Sequence, residues 1–390
     1  MLRRDDPPSR EALFGPFDMN GLHLSNRIVL APCTRSRANE DGVHPKEASY
    51  YYAQRAMAGL IIAEAAYVSS TGKAYPNTPG IYNEEQARCW EPIVQAVHAL
   101  GCKIMVQLYH GGRVSHPLTQ PNHQVPMAPS PIRIDGLVFT RAGVKEFVMP
   151  REMASDDITR VVLEFRNAAA VARGAGFDGI ELHAGNGYLL DQFLRSSANK
   201  RRDMYGGSVG NRMRLLMEVL EAVTAIWSSD RVGVRVSPVN AYNGMDDENP
   251  EETFLRVADE LSRAGVGFLD VVETGMALRH VRAEKQTTKK RDFNWSVIRS
   301  NFHGIYMANG EYTRTRAINA VNSGHADLVS FGTDFLSNPD LPFRLEHDLE
   351  LNPPDKDSFY EGGPVKGYID YPFHPQNKAF AARVHSLFRD

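Results

Sequence analysis

Val232-Gly233-Val234-Arg235-Val236, then Asn249-Pro250-Glu251-Glu252 at the head of an amphipathic stretch, then Phe268-Leu269-Asp270-Val271-Val272-Glu273: this part of the chain decides the fold. The outer two runs are short, β-branched and almost continuously apolar, which suits strands buried on both faces of a parallel sheet. Between them, Asn before Pro and two acids is a helix start. Gly265, just past the amphipathic residues 250–264, is a helix stop. Strand, helix and strand in so short a span predict one βαβ unit.

The alternation continues in both directions. Strand-like runs recur at residues 27–31, 60–66, 103–108, 179–183, 305–308 and 328–331, and amphipathic stretches at 86–100, 159–175, 212–227 and 314–322. With 232–236 and 268–273 this makes eight strands, and no Pro/Ser-rich linker divides them. The prediction is α/β, a single (β/α)8 TIM barrel over residues 13–375. A polar, Pro-rich tail precedes it at 1–12, and a C-terminal extension follows at 376–390. Asn20-Gly21 between two short alternating runs predicts an N-terminal β-hairpin. Residues 111–150 are rich in Pro and Gly, with alternating pieces such as Leu137-Val138-Phe139. They read as a β-containing insertion after the third strand, overhanging the end of the barrel where active sites form.

Composition narrows the function. The chain has 390 residues, a formal net charge of −3, 42% apolar and 23% charged residues, which are ordinary globular values. That balance gives no electrostatic reason to expect nucleic acid. No apolar run reaches the roughly 20 residues that cross a bilayer. The start, Met1-Leu2-Arg3-Arg4, is followed by no apolar core of a signal peptide, and the end lacks a Ser-Lys-Leu signal, so a cytoplasmic location is expected. Cys33, Cys89 and Cys102 have neither metal-ligand nor disulfide spacing, so no metal is expected. The sequon at Asn294 is then read as coincidental.

Gly174-Ala175-Gly176-Phe177-Asp178-Gly179 has the G-x-G-x-x-G spacing of dinucleotide sites, but it follows a helix and precedes a strand, the reverse of the required order. It is read as a helix cap and turn. The informative segment is Gly179-Ile180-Glu181-Leu182-His183-Ala184-Gly185-Asn186-Gly187-Tyr188. Here a strand runs into a turn carrying an imidazole, an amide and a phenol at the catalytic end of the barrel. The imidazole and amide N–H groups can converge on one oxygen that gains negative charge, and the phenol can deliver a proton. Each residue alone is better read as packing; the three together favour chemistry.

With that segment and others, the sequence resembles the Old Yellow Enzymes, the flavin-dependent ene-reductases that include the 12-oxophytodienoate reductases. The other pieces are Asn26-Arg27-Ile28-Val29-Leu30-Ala31-Pro32-Cys33-Thr34-Arg35, Gln107-Leu108-Tyr109-His110-Gly111-Gly112-Arg113, Tyr205-Gly206-Gly207-Ser208, Arg235-Val236-Ser237-Pro238, Ser337-Asn338-Pro339-Asp340-Leu341 and Gly367-Tyr368-Ile369-Asp370-Tyr371-Pro372, together covering about residues 14–375. The resemblance implies FMN across the barrel mouth, with NADPH or NADH as reductant. It places Pro32, Cys33, Thr34, Ala66, Gln107, Arg235, Asn309, Gly310, Gly332 and Thr333 at the cofactor. Thr34 matches a residue that hydrogen-bonds the flavin O4, Gln107 suits the pyrimidine edge, and Arg235 is a cation beside N1 and O2. Taken alone, Arg235 is better read as half of a structural ion pair. Cys33 is read as a small packed residue.

His183 and Asn186 match the pair that grips a substrate carbonyl, and Tyr188 the proton donor. Tyr75, Tyr109, Tyr242 and Tyr360 fall where the family lines its substrate pocket, though each could be core filler. The implied partner is a small enone, and the implied state a monomer or homodimer. One departure stands out: Thr333 replaces a phosphate-binding arginine, and Asn309-Gly310 replaces a Gly-Gly pair. Losing such a contact, worth roughly 1.5–3 kcal/mol, weakens FMN about tenfold to a hundredfold. Backbone amides at Asn309, Gly310, Gly332 and Thr333 can still cradle the phosphate. The run Lys285-Gln286-Thr287-Thr288-Lys289-Lys290-Arg291 reads as a solvated loop, with attraction of the NADPH 2′-phosphate as the sharper alternative. Two other classes stay open. One is a flavin-free Schiff-base barrel enzyme, although no strand clearly ends in lysine. The other is a degenerate binding or scaffold protein without FMN.

Overall fold

The computed structural model describes residues 12–274 and 293–389. Eight parallel strands close into a barrel: β1 (Ile28–Leu30), β2 (Leu60–Tyr67), β3 (Lys103–Tyr109), β4 (Gly179–His183), β5 (Val232–Val236), β6 (Phe268–Val272), β7 (Ile305–Asn309) and β8 (Leu328–Phe331). Each pairs with the next in sequence, and β8 returns to β1 with Phe331 opposite Leu30. Helices lie between successive strands, at Glu47–Gln54, Glu84–Ala99, Ser155–Gly174, Val209–Thr224, Pro250–Arg263, Trp295–Asn301 and Arg314–Asn322, and the short helix Leu189–Leu194 also lies between β4 and β5.

Helix starts follow from short polar side chains that accept the first free amides. Asn83 accepts from Gln86 N at 2.9 Å, Asn249 from Glu252 N at 3.3 Å, and Thr313 from Arg316 N at 3.3 Å. Asn294, the sequon asparagine, caps its helix by accepting from Ser296 N at 3.2 Å. The discarded glycine motif sits as read from sequence: Gly174 closes a helix, and Gly176 at φ +89° turns the chain toward β4.

The barrel interior is apolar at its base and polar at its mouth. Val29, Leu60, Ile62, Met105, Phe268, Met307 and Leu328 fill the lower part. The hairpin of Phe17–Met19 and Leu22–Leu24 closes that end, burying Met19, Leu22 and Leu24 on the same cluster. Asn20 and Gly21 turn it with φ of +53° and +82°, the positive values a two-residue turn requires. Gly233 has a packing reason, because a Cβ there would lie 2.0 Å from Phe268 Cζ. Outward-facing strand residues pack against the helices in one continuous core.

The insertion after β3 forms two small sheets. Met127–Ala128 pairs with Arg151–Glu152, and Leu137–Thr140 with Gly143–Glu146. Ile134, Val138 and Phe147 bury against Tyr67, Tyr109 and Val114, which covers one side of the mouth. On another side, the fully buried Arg35 donates to Phe359 O at 3.2 Å and Gly367 O at 2.6 Å, and Arg37 donates to Ser358 O at 2.8 Å. These bonds fasten residues 358–367 beside the same mouth. Residues 1–11 and the basic run Lys285-Gln286-Thr287-Thr288-Lys289-Lys290-Arg291 lie outside the described residues. Among the described residues, no helix is long and apolar enough to cross a membrane, and no group of His, Cys, Asp and Glu could hold a metal ion.

Candidate active site

β4 ends at His183, and the turn after it brings the three predicted reactive residues together. Asn186 sits at φ +56° and Gly187 at +79°, so the chain reverses sharply and Tyr188 starts the short helix Leu189–Leu194. Asn tolerates the left-handed region better than most residues. Gly187 is needed for room as well, since a Cβ there would lie 2.6 Å from Asn243 Cβ. The turn is held on all sides: Ser237 Oγ accepts from Asn186 N at 2.7 Å, Asp191 Oδ2 from Gly187 N at 2.9 Å, and Asn186 O from Asn243 Nδ2 at 2.9 Å.

The Asn186 amide is oriented by a partner not singled out from sequence. Asn240 Nδ2 donates to Asn186 Oδ1 at 2.8 Å, which reserves the Nδ2 protons of Asn186 for a ligand. Asn240 follows β5 by a few residues, and nothing in its own segment marks it; its role comes from the turn it faces. His183 is 4% exposed, and its Nδ1 has no hydrogen-bond partner among the described residues. Burial, with the nearby Arg235 cation, holds its pKa well below the ordinary value, so the imidazole is neutral. A buried neutral ring with an open nitrogen is a donor or acceptor waiting for a ligand.

Tyr188 lies 4.9 Å from His183 and 5.2 Å from Tyr109, centroid to centroid. Burial pushes its pKa well above the ordinary phenol value, and the neighbouring phenols of Tyr242, Tyr109 and Tyr360 add to this, so the proton stays on. Tyr75 and Tyr242 are half-buried, Tyr109 is buried and Tyr360 is 52% exposed. The aromatic residues named from sequence therefore gather round Tyr188.

The predicted cofactor residues line the rest of the mouth. Gln107 on β3, Arg235 on β5 and Asn309 on β7 form a polar layer above the apolar plug. Gln107 donates to Glu181 at 2.6 Å, and Arg235 donates to Asp270 and, at 3.0 Å, to Asn309 Oδ1. Asn309 Nδ2 in turn donates to Ser330 Oγ at 2.9 Å. Arg235 is thus both a cation at the mouth and half of a buried ion pair. Pro32, Cys33 and Thr34 follow β1 and are half-buried, and Cys33 Sγ lies 3.3 Å from where a Cβ on Gly332 would be. Ala66 is buried on β2, beyond an irregularity in its pairing with β3. Gly310 follows β7 and Gly332 follows β8, side by side in the barrel. Among the described residues, none accepts from the backbone N–H groups of Gly310, Gly332 and Thr333.

Residues 12–352 match the sequence profile of the NADH:flavin oxidoreductase / NADH oxidase family. The chain is 41% identical over 373 residues to putative 12-oxophytodienoate reductase 2 of Oryza sativa subsp. japonica, covering 94% of this chain and 96% of the relative. It is 39% identical to morphinone reductase, with a TM-score of 0.87 over 96% of this chain and 99% of that one. It is 40% identical to the Old Yellow Enzyme homologue of Zymomonas mobilis, also at a TM-score of 0.87, over 93% of this chain and 99% of that one. The barrel, the turn after β4 and these likenesses agree, and the chain belongs to the Old Yellow Enzyme family of flavin oxidoreductases.

Proposed function

We propose that this protein reduces the C=C bond of α,β-unsaturated carbonyl compounds, with FMN as resident cofactor and NADPH or NADH as reductant. The observation that carries the reading is the pairing of the open, buried Nδ1 of His183 with the Asn186 amide that Asn240 orients. Relatives are named for the carbonyl compounds that they reduce, 12-oxophytodienoate and morphinone, and morphinone reductase has been solved in complex with tetrahydroNAD.

The residues present fit FMN. Among the described residues, none accepts from the backbone N–H groups of Gly310, Gly332 and Thr333, which suit a phosphate and favour the amide cradle over the missing arginine. Arg235 and Gln107 suit the polar pyrimidine edge, and Thr34, Pro32, Cys33 and Ala66 border it. When bound, FMN supplies a hydride from N5 to the substrate's Cβ. His183 and Asn186 hold the substrate oxygen and stabilise the negative charge that develops there. Being neutral, His183 does this as a hydrogen-bond donor with its tautomer set by the ligand. Tyr188, kept protonated by burial, delivers its proton to Cα. Tyr75, Tyr109, Tyr242 and Tyr360 provide an apolar wall with polar tips for the remainder of the substrate.

The test is the visible absorption spectrum of the purified protein before and after anaerobic NADPH. A yellow flavin spectrum that NADPH bleaches is expected. A colourless protein that takes up no added FMN removes the proposal and leaves a binding role. In the Tyr188→Phe protein, bleaching by NADPH should persist while enone turnover falls about a hundredfold or more, the usual contribution of a positioned acid. Unchanged turnover would mean that another group delivers the proton.

A further inference from the structure

Two carboxylic side chains lie in the polar layer beneath the mouth, and the mechanism uses neither. Glu181 on β4 and Asp270 on β6 are both 0% exposed. They are separated by β5, on which Glu181 pairs with Gly233 and Asp270 pairs with Arg235. They approach within hydrogen-bonding reach of each other. Each holds one of the groups assigned to the cofactor: Glu181 accepts from Gln107 at 2.6 Å, and Asp270 accepts from Arg235. Each also keeps one buried oxygen, Glu181 Oε2 and Asp270 Oδ1, that no donor among the described residues reaches. Buried acceptors without donors are costly, and two touching carboxylates repel in a dry interior. A single proton held by the pair removes both costs. Arg235 is the cation facing the pair; Glu273 and Tyr306 lie beyond Asp270.

We propose that Glu181 and Asp270 share one proton and act together as a positioning pair, fixing Gln107 and Arg235 while leaving the Arg235–Asp270–Glu181 cluster with no net charge. Burial and the neighbouring carboxylate both push the Glu181 carboxyl up, which agrees with Glu181 as the proton's main holder. In consequence, Arg235 gives the pyrimidine edge directed hydrogen bonds but little net positive charge. The inference rests on the FMN reading for its meaning, while the infrared arm of its test does not.

Glu181→Gln mimics the protonated acid in shape, hydrogen bonding and charge. In the infrared difference spectrum, native minus Glu181→Gln, a carboxylic-acid stretch that shifts in heavy water is expected at neutral pH. It should be present whether or not the chain carries FMN. In the FMN-loaded protein, Glu181→Gln should leave the midpoint potential unchanged. The double variant Glu181→Gln, Asp270→Asn leaves Arg235 without a counter-ion. It should favour the reduced form about tenfold or more, which is about 30 mV for two electrons. No acid band in the native protein, or an equal rise in potential in Glu181→Gln alone, would overturn the proposal, since both carboxylates would then be ionised. Should the double variant fail to fold, the single variant still decides through the band and the potential. A chain that takes up no FMN yet shows the band would retain this proposal while losing the proposed function.

Discussion

At the scale of single residues, the site depends on orientation as much as on identity. An asparagine amide has two chemically different ends, and only an external partner decides which end meets a ligand. Asn240 makes that choice for Asn186, and its own Oδ1 accepts from Tyr242 N at 3.1 Å, which holds it in turn. Replacing Asn240 with alanine leaves Asn186 Oδ1 without this donor and free to turn toward the mouth. Binding of a phenolic ligand, read from its charge-transfer band with the flavin, should weaken about tenfold, equivalent to about 1.4 kcal/mol. The effect should be absent in a background that already carries Asn186→Ala. An equal loss in that background would mean that Asn240 acts through the fold and not through the amide.

At the scale of elements, what could be read from the sequence follows from what each residue answers to. The barrel strands were legible because burial on both faces leaves little choice but branched apolar residues, and β4, β5 and β8 begin and end where the pattern does. The helix Glu47–Gln54 was not legible: nearly all its side chains are buried, so Ala48, Tyr51, Tyr52 and Gln54 show no polar face. Leu189–Leu194 was missed for the same reason, being buried throughout. His183, Asn186 and Tyr188 could be found because they lie within one turn. Asp270 and Asn240 could not, because each takes its meaning from a partner on another strand or loop. Gly233 is a further case: in sequence it is only a glycine in a strand, yet its bare backbone admits the Phe268 ring to the barrel interior. Gly233→Ala should cost about 1–3 kcal/mol, the range for overpacking. Adding Phe268→Leu should recover part of that loss, so that the two changes are non-additive in thermal or urea unfolding. Strict additivity would mean that the glycine serves the backbone and not the ring.

At the scale of the whole molecule, the fold stores its response to acid in buried imidazoles. His44, His110 and His183 lie in different parts of the structure, and burial pushes all three down, the first two to about 3. A histidine with a lowered folded pKa contributes its full share of stability above the ordinary value of 6.5, and that share is lost as pH falls toward the folded value, because the unfolded chain takes up the proton first. Glu64 works in the opposite sense. Burial raises it from 4.5 to about 7, so its contribution is complete below 4.5 and is lost as pH rises through 7. Between 6.5 and 4.5 the two trends partly offset. Below 4.5 Glu64 no longer offsets the histidine losses, and carboxylates held down by charged partners, such as Asp157 beside Arg151, begin to lose their own contribution, so unfolding should steepen there. His44 isolates the effect, because its ring packs edge-on to Trp90 at 4.3 Å and neither ring nitrogen has a partner among the described residues. Phenylalanine keeps that ring contact and removes the titration. His44→Phe should therefore be at least as stable as the native protein in urea unfolding at pH 7, since it also removes two unpartnered buried nitrogens. Its advantage should grow by about 2 kcal/mol at pH 5, from about 1.4 kcal/mol per pH unit below 6.5. A difference that stays constant between the two pH values would show that folded His44 accepts a proton as readily as the unfolded chain, against the burial that the structure gives it.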